Sequence, residues 1–139
     1  MSTFQSALRT YLLADSEITD IVGSNGVYSF PAPQKADLPY ILVSRTTHTV
    51  VNNLLNAEGV RREEWQLDCL SYTTSEVETL QEAVISRVNN ASPITMSGFD
   101  VFLMIVDNVT DLSELEDDGS QKTARRRTIQ LIVKRSPTT

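Results

Sequence analysis

Two side chains of the kinds that most often carry catalysis or bind metals occur once each in this sequence, His48 and Cys69. A zinc site draws on several imidazole or thiolate ligands at set spacing, and a lone His cannot supply them. His48 sits in the Thr-rich run TTHTVV, which reads as exposed strand. Cys69 alternates with Trp65 and Leu67, the pattern of an inward-facing core thiol rather than of an activated nucleophile. A single cysteine also allows no intrachain disulfide, which fits a reducing compartment. The GSNG of residues 23–26 lacks both the spacing and the Lys-Ser/Thr of a phosphate loop. Glu114, Glu116, Asp118 and Gly119 imitate the early ligands of a calcium loop, but the twelfth position falls on Arg125, where a bidentate Glu is required. No catalytic, metal or cofactor-binding residue is therefore expected, and the chain does not read as an enzyme.

Charge is the next place to look for function. Eighteen acids against 12 bases give a net −6, which does not draw the whole chain to DNA or to an anionic membrane. Arg125, Arg126 and Arg127 follow directly on an acidic stretch that holds Glu114, Glu116, Asp117 and Asp118. In a strand, Arg125 and Arg127 share one face and Arg126 takes the other. The three could hold nucleic-acid phosphates, but no aromatic residues interleave with them as a stacking platform. One copy's acidic loop meeting another copy's basic strand is the more economical expectation. Arg62 and Glu64, with Gln66 and Asp68, mark a polar strand face that is either solvated sheet or a protein contact.

The elements that must position these groups follow from hydrophobic spacing. Phe4, Ala7, Leu8, Tyr11 and Leu12 form one helical stripe, capped by Ser2 or Thr3. A short second turn starts at Ser16 and stops at Gly23, before a short strand over 27–30. FPAPQKADLPYILVSRTT, residues 30–47, then enters a β-branched strand that runs to Val51, through Pro31, Pro33, Gln34 and Pro39. Each Pro fixes its own φ and restrains the residue before it, so the crossing is semi-rigid. Such a segment either loses little entropy when a neighbour docks on it or simply spans a sheet edge.

Asn52, Asn53, Asn56 and Gly59 mark a long turn. Beyond it, Trp65, Leu67 and Cys69 point one way and Glu64, Gln66 and Asp68 the other, so one face is packed and one wet. Ser75 and Glu78 make a capping-box pattern for a helix with Val77, Leu80, Ala83, Val84 and Val88 inside. FDVFLMIVDNV is apolar on both faces, as a central strand is, and a polar loop over 110–123 precedes a last strand, 124–134. The expected fold is α+β: a two-layer sandwich of a mainly antiparallel sheet with two helices on one face, in the order α-β-β-β-α-β-β. One domain spans residues 1–135, with 136–139 a short tail. The N-terminus has no basic start and unbroken apolar core, and no apolar run reaches the ~20 residues of a membrane span, so a soluble cytoplasmic product is expected.

Three stretches together resemble a known family. ALRTYLLADSEITDIVG is similar to the opening helix of phage tail-terminator, or tail-completion, proteins. VYSFPAPQKADLPYILV resembles their short strand, Pro-rich crossing and next strand, and REEWQLDCLSYTTSEVETLQEAV their strand, Thr/Ser turn and second helix. The resemblance covers most of residues 7–84; the acidic 110–123 loop and the triple Arg match no family pattern. It implies a hexameric ring that caps the tail tube of long-tailed phages, prophages or gene transfer agents, ends tube growth and offers the head-docking surface. The implied partners are further copies, the tail tube protein and a head-completion or stopper protein, with DNA passing through the lumen without specific binding. The implied place is the tail–head junction of the virion, after assembly in the host cytoplasm. A neck head–tail adaptor is the alternative, and a nucleic-acid-binding module resting on Arg125–Arg127 the next.

Overall fold

A computed structural model describes residues 3–29, 38–53, 56–89, 94–96, 98–115 and 123–136. The elements are α1 (Phe4–Leu13), α2 (Ser16–Val22), β1 (Val27–Ser29), β2 (Tyr40–Asn53), β3 (Asn56–Ser71), α3 (Thr74–Asn89), β4 (Ile94–Met96), β5 (Phe99–Leu115) and β6 (Thr123–Arg135). The fold is α+β, with the helices against one face of a curled six-stranded sheet of order β1-β2-β3-β6-β5-β4.

The helical stripes are those that the spacing predicts. Phe4, Ala7, Leu8, Tyr11 and Leu12 of α1 and Val77, Leu80, Ala83, Val84 and Val88 of α3 are all buried. They pack on Ile41, Val43, Trp65, Leu67, Cys69, Ile129, Leu131, Val133 and Val101, the inward set of the sheet. Thr3 caps α1 by accepting from the Ser6 N–H at 3.1 Å. The two helices are also clamped: Tyr11 Oη donates to the Arg87 carbonyl at 3.0 Å, Arg87 Nε returns a bond to the Tyr11 carbonyl at 3.1 Å, and the guanidinium lies 3.8 Å from the Tyr11 ring centre.

Several expectations need correction. Among the described residues there are three helices and six strands, because α2 is a full element and β4 adds a short strand. Asp15, not Ser16, caps α2, accepting from the Glu17 N–H at 2.9 Å. At α3 the capping pair is shifted two residues upstream: Thr73 Oγ1 accepts from the Glu76 N–H at 3.1 Å, and Ser71 Oγ donates to the Glu76 carboxylate. The sheet is mixed. β1 runs parallel to β2, Val27 beside Ile41 and Ser29 beside Val43, since the long 30–39 connection lets the chain re-enter in the same direction. Gly26 fits this corner because it has no Cβ: one would stand 2.1 Å from the Val22 carbonyl oxygen, while the Gly26 carbonyl accepts from the Ile41 N–H at 2.9 Å.

FDVFLMIVDNV is not central. β6, last of the strands in sequence, inserts between β3 and β5, so β3 and β6 take the middle. Both hairpins run further than the composition suggests: Asn53 pairs with Asn56, and Leu115 with Thr123. Register slips between Arg45 and Thr47, Val51 and Asn53, Val101 and Leu103, and Val106 and Asn108 are β-bulges or irregularities of the kind that bend and twist these long strands. Gly98, at φ 91°, turns the chain between β4 and β5, where Met96 pairs with Phe99.

Candidate assembly surface

The side of β3 that was expected to be wet is closed at one end. Asp68 is only 1% exposed, and Leu70 beside it is also buried. Asp68 accepts from Arg126 Nη2 at 2.8 Å, Thr128 Oγ1 at 2.7 Å and Gln66 Nε2 at 3.1 Å. Each oxygen of this buried carboxylate is met by a donor, and one donor is a cation. Towards the start of the same strand, Arg62 and Glu64 stand half-open with nitrogen and oxygen 4.0 Å apart, a loose surface pair.

On the helix side, Glu63 is fully buried among four donors: Arg135 Nε at 2.6 Å and Nη2 at 3.1 Å, Arg45 Nη1 at 3.0 Å and Trp65 Nε1 at 3.1 Å. Arg135 in turn lies over the rings of Phe4 and Phe99, 4.8 and 5.2 Å from their centres. This network ties β2, β3 and β6 to the start of α1. Alternation alone cannot mark it, since Glu63 follows two charged residues, Arg61 and Arg62, that look like surface.

The triple Arg falls as strand geometry requires, Arg125 and Arg127 in register with Ser71 and Cys69 on the core side and Arg126 with Leu70 on the other. Arg126 and Arg127 are engaged within their own chain. Arg127 Nε is 3.0 Å from Asp111, and its other nitrogens reach Gln81 at 2.9 Å and Glu78 at 3.4 Å. Ion pairing thus joins β5, β6 and α3 at the base of the acidic hairpin. Glu114 pairs by its backbone with Ala124, while Glu116, Asp117 and Asp118 lie outside the described residues. So do Pro31, Pro33 and Gln34; Pro39 is half-buried, follows a cis peptide bond and stands just before β2.

The feature that the sequence reading missed is the outer edge. β4 covers β5 only at Phe99–Val101, and among the described residues no strand lies outside Phe102–Leu115. Phe102 is 51% exposed and Ile105 40%. β1 likewise covers β2 only at Ile41–Val43, leaving Ser44–Asn53 without an outer strand among the described residues. The apolar run of β5 was read as twofold burial, whereas its second face meets solvent here. Only the pairing order, which no local pattern carries, distinguishes the two.

Little of this is chemistry. Cys69 is buried, and burial, reinforced by the nearby Asp68 charge, pushes its thiol well above the usual thiol range, away from a reactive thiolate. His48 stands on β2 opposite Glu63 in register. An open groove of about 670 Å³ between α2 and α3 is lined by Glu17, Asp20, Glu78 and Glu82 with Ile21, Thr79 and Ala83, with no base among its walls. Among the described residues no His, Cys, Asp and Glu group is placed to hold a metal, and no helix is long and apolar enough to cross a membrane.

The family of tail completion protein gp17 matches the sequence over residues 6–130. The chain belongs to that family. It is thus a structural protein of phage-type tails and of virion assembly. No curated protein matches it by sequence. Among solved structures, this tail completion protein is similar to a chain of the native gene transfer agent virion particle, at 15% identity, TM-score 0.68, with 95% of this chain and 93% of that one covered. At that identity the likeness concerns the fold. A second solved chain, 12% identical with a TM-score of 0.41 over 94% of this chain and 89% of its own, adds nothing to the argument.

Proposed function

We propose that this tail completion protein caps the tail tube as a hexameric ring, stops tube polymerisation and presents the surface on which the head docks. The match to the tail completion family over residues 6–130 carries the reading. The similar chain in a gene transfer agent virion supports a subunit fold suited to particle assembly. Its partners in this reading are further copies, the tail tube protein and a head-completion or stopper protein at the tail–head junction, after assembly in the host cytoplasm. DNA crosses the ring lumen, and the net −6 charge keeps the wall from gripping it. Contacts with neighbours are assigned to Pro31, Pro33, Gln34 and Pro39 on the crossing, Arg62 and Glu64 on β3, and Glu114, Glu116, Asp117 and Asp118 with Arg125, Arg126 and Arg127 on the β5–β6 hairpin. Arg126 and Arg127 then act mainly by holding that hairpin in place, since both are engaged within their own chain.

The test is electron microscopy of particles made without this gene. Overlong, headless tails beside full heads support the reading. Tails of normal length that fail to join heads assign the chain to the neck as an adaptor, and normal joined particles refute any assembly role.

A further inference from the structure

One cation of the sheet has no counter-charge in its own chain. Arg61, Glu63 and Trp65 alternate along β3 on the helix side, and Arg61 stands in register with Arg135 of β6. Three guanidinium groups, those of Arg45, Arg61 and Arg135, thus come to this end of the face, where Glu63 is committed to Arg45 and Arg135. Arg61 itself is half-buried; its Nη1 is shut off from water and no acceptor meets that nitrogen. Among the described residues no carboxylate pairs with it. A partly desolvated cation without a counter-charge costs stability, and native structures ordinarily supply the missing anion.

The groove between α2 and α3 carries the opposite surplus. Glu17, Asp20, Glu78 and Glu82 line it and all four are exposed. Glu78 answers Arg127, and Glu82 accepts a long bond from the adjacent Gln81, but no cation among the described residues meets Glu17, Asp20 or Glu82. This groove belongs to the other end of the sheet. Its Glu78 reaches Arg127, which is in register with Cys69, eight residues along β3 from Arg61, or about 26 Å at the rise of a strand. The two surpluses therefore do not meet within one copy. A head-to-tail contact between copies joins them, and such a contact repeats around a closed ring. We infer that Arg61 seats a carboxylate of a second copy, presented by Glu17, Asp20 or Glu82 of that copy's α2–α3 groove. The inference rests on the ring reading above and names a contact that would close it.

Neutral and reversed variants of the full-length chain test this. Arg61→Gln removes the charge, and since no carboxylate of its own chain answers it, the urea midpoint of the monomer should stay at or above the wild-type value. An arginine with a purely structural role would lower that midpoint. Each variant is supplied to producing cells that lack the gene, and oligomers are sized by gel filtration of the lysate. Arg61→Gln should lower the oligomer several-fold. Arg61→Glu alone, or Asp20→Lys with Glu82→Lys, should lower it by about tenfold or more, because like charges then face each other at every junction. All three changes in one chain should restore it, since each altered surface again meets its complement; rescue also shows that the altered chains fold. Oligomer that survives in the reversed variants, a combined chain without rescue, a destabilised Arg61→Gln monomer, or no oligomer from the wild-type chain each overturns the inference. So does an intact Arg61→Gln oligomer that has lost salt-dependent DNA retention, which assigns Arg61 to a phosphate. Tail length in the deleted background is scored separately. Arg61-dependent oligomers with normal joined particles leave the inference standing and remove the tube-capping function, and the converse result does the opposite.

Discussion

Replacing Glu63 by Ala should be among the most damaging single changes in the chain. The side chain is fully buried and meets four donors on three residues. Its removal strands the Arg135 guanidinium, only 7% exposed, without a counter-charge, and breaking a buried pair in this way costs about 3–5 kcal/mol. Arg45, at 48% exposure, turns to water and adds under about 1 kcal/mol. A loss near 4 kcal/mol is a large share of the roughly 5–15 kcal/mol that hold a domain together. For a chain of 139 residues it corresponds to a fall in Tm of roughly 10–15 °C by circular dichroism. The same logic predicts that Glu63→Leu with Arg135→Met recovers most of the loss, to within about 2 kcal/mol of wild type, since two apolar chains of similar volume replace the pair and Met still covers Phe4 and Phe99. A single variant that costs under about 1 kcal/mol, or a double variant as unstable as the single, would refute the assignment of Glu63 and Arg135 as a desolvated, mutually dependent pair.

Other outcomes follow from the same packing. Gly26→Ala should cost about 1–3 kcal/mol in urea unfolding, because its Cβ would meet backbone of α2 that has little room to retreat. Arg126→Ala removes the cationic partner of buried Asp68 and should cost about 2 kcal/mol, whereas Arg62→Ala, at a loose surface pair, should stay within about 0.5 kcal/mol. The Cys69 thiol should resist a disulfide-exchange reagent at pH 8 in the folded chain and react at once in urea. Its folded value is raised, so as pH climbs past the ordinary 9.0 the unfolded state ionises first and gains stability. Folding stability should then fall by about 1.4 kcal/mol per pH unit through this group, and Cys69→Ala should remove that part of the slope.

What was legible beforehand was what burial on one side imposes locally. Both helical stripes, and the inward run Trp65, Leu67 and Cys69, came directly from spacing, because a residue that must face a core repeats at the period of its element. The ends of the hairpins were not. TDLSEL and NNLLNAEG look like loops because a ribbon in which alternation fades gives no in–out signal, although Thr110–Leu115 pair with Thr123–Thr128 and Asn53 with Asn56. Nor was the parallel β1, which depends on where a connection delivers the chain rather than on any residue of the strand. Of the residues proposed for assembly, the pattern located Arg125–Arg127 on the faces that register gives them but missed that Arg126 answers a buried Asp68, a bond across 58 positions in sequence. The exposed Phe102 and Ile105 carry the opposite lesson, since apolar residues on both faces of a strand do not say whether its second face is covered or open to solvent.

The late arrival of β6 also sets a clock on the molecule. While a ribosome is still making the chain, β3 and β5 are already synthesised, but each lacks the strand that will lie between them. Only when residues 123–135 emerge can the two half-sheets fuse, Glu63 meet Arg135 and Asp68 meet Arg126. A product that ends before β6 would therefore lack both the Glu63–Arg135 and the Asp68–Arg126 pairs. Closing the sheet is thus a single step that waits on β6.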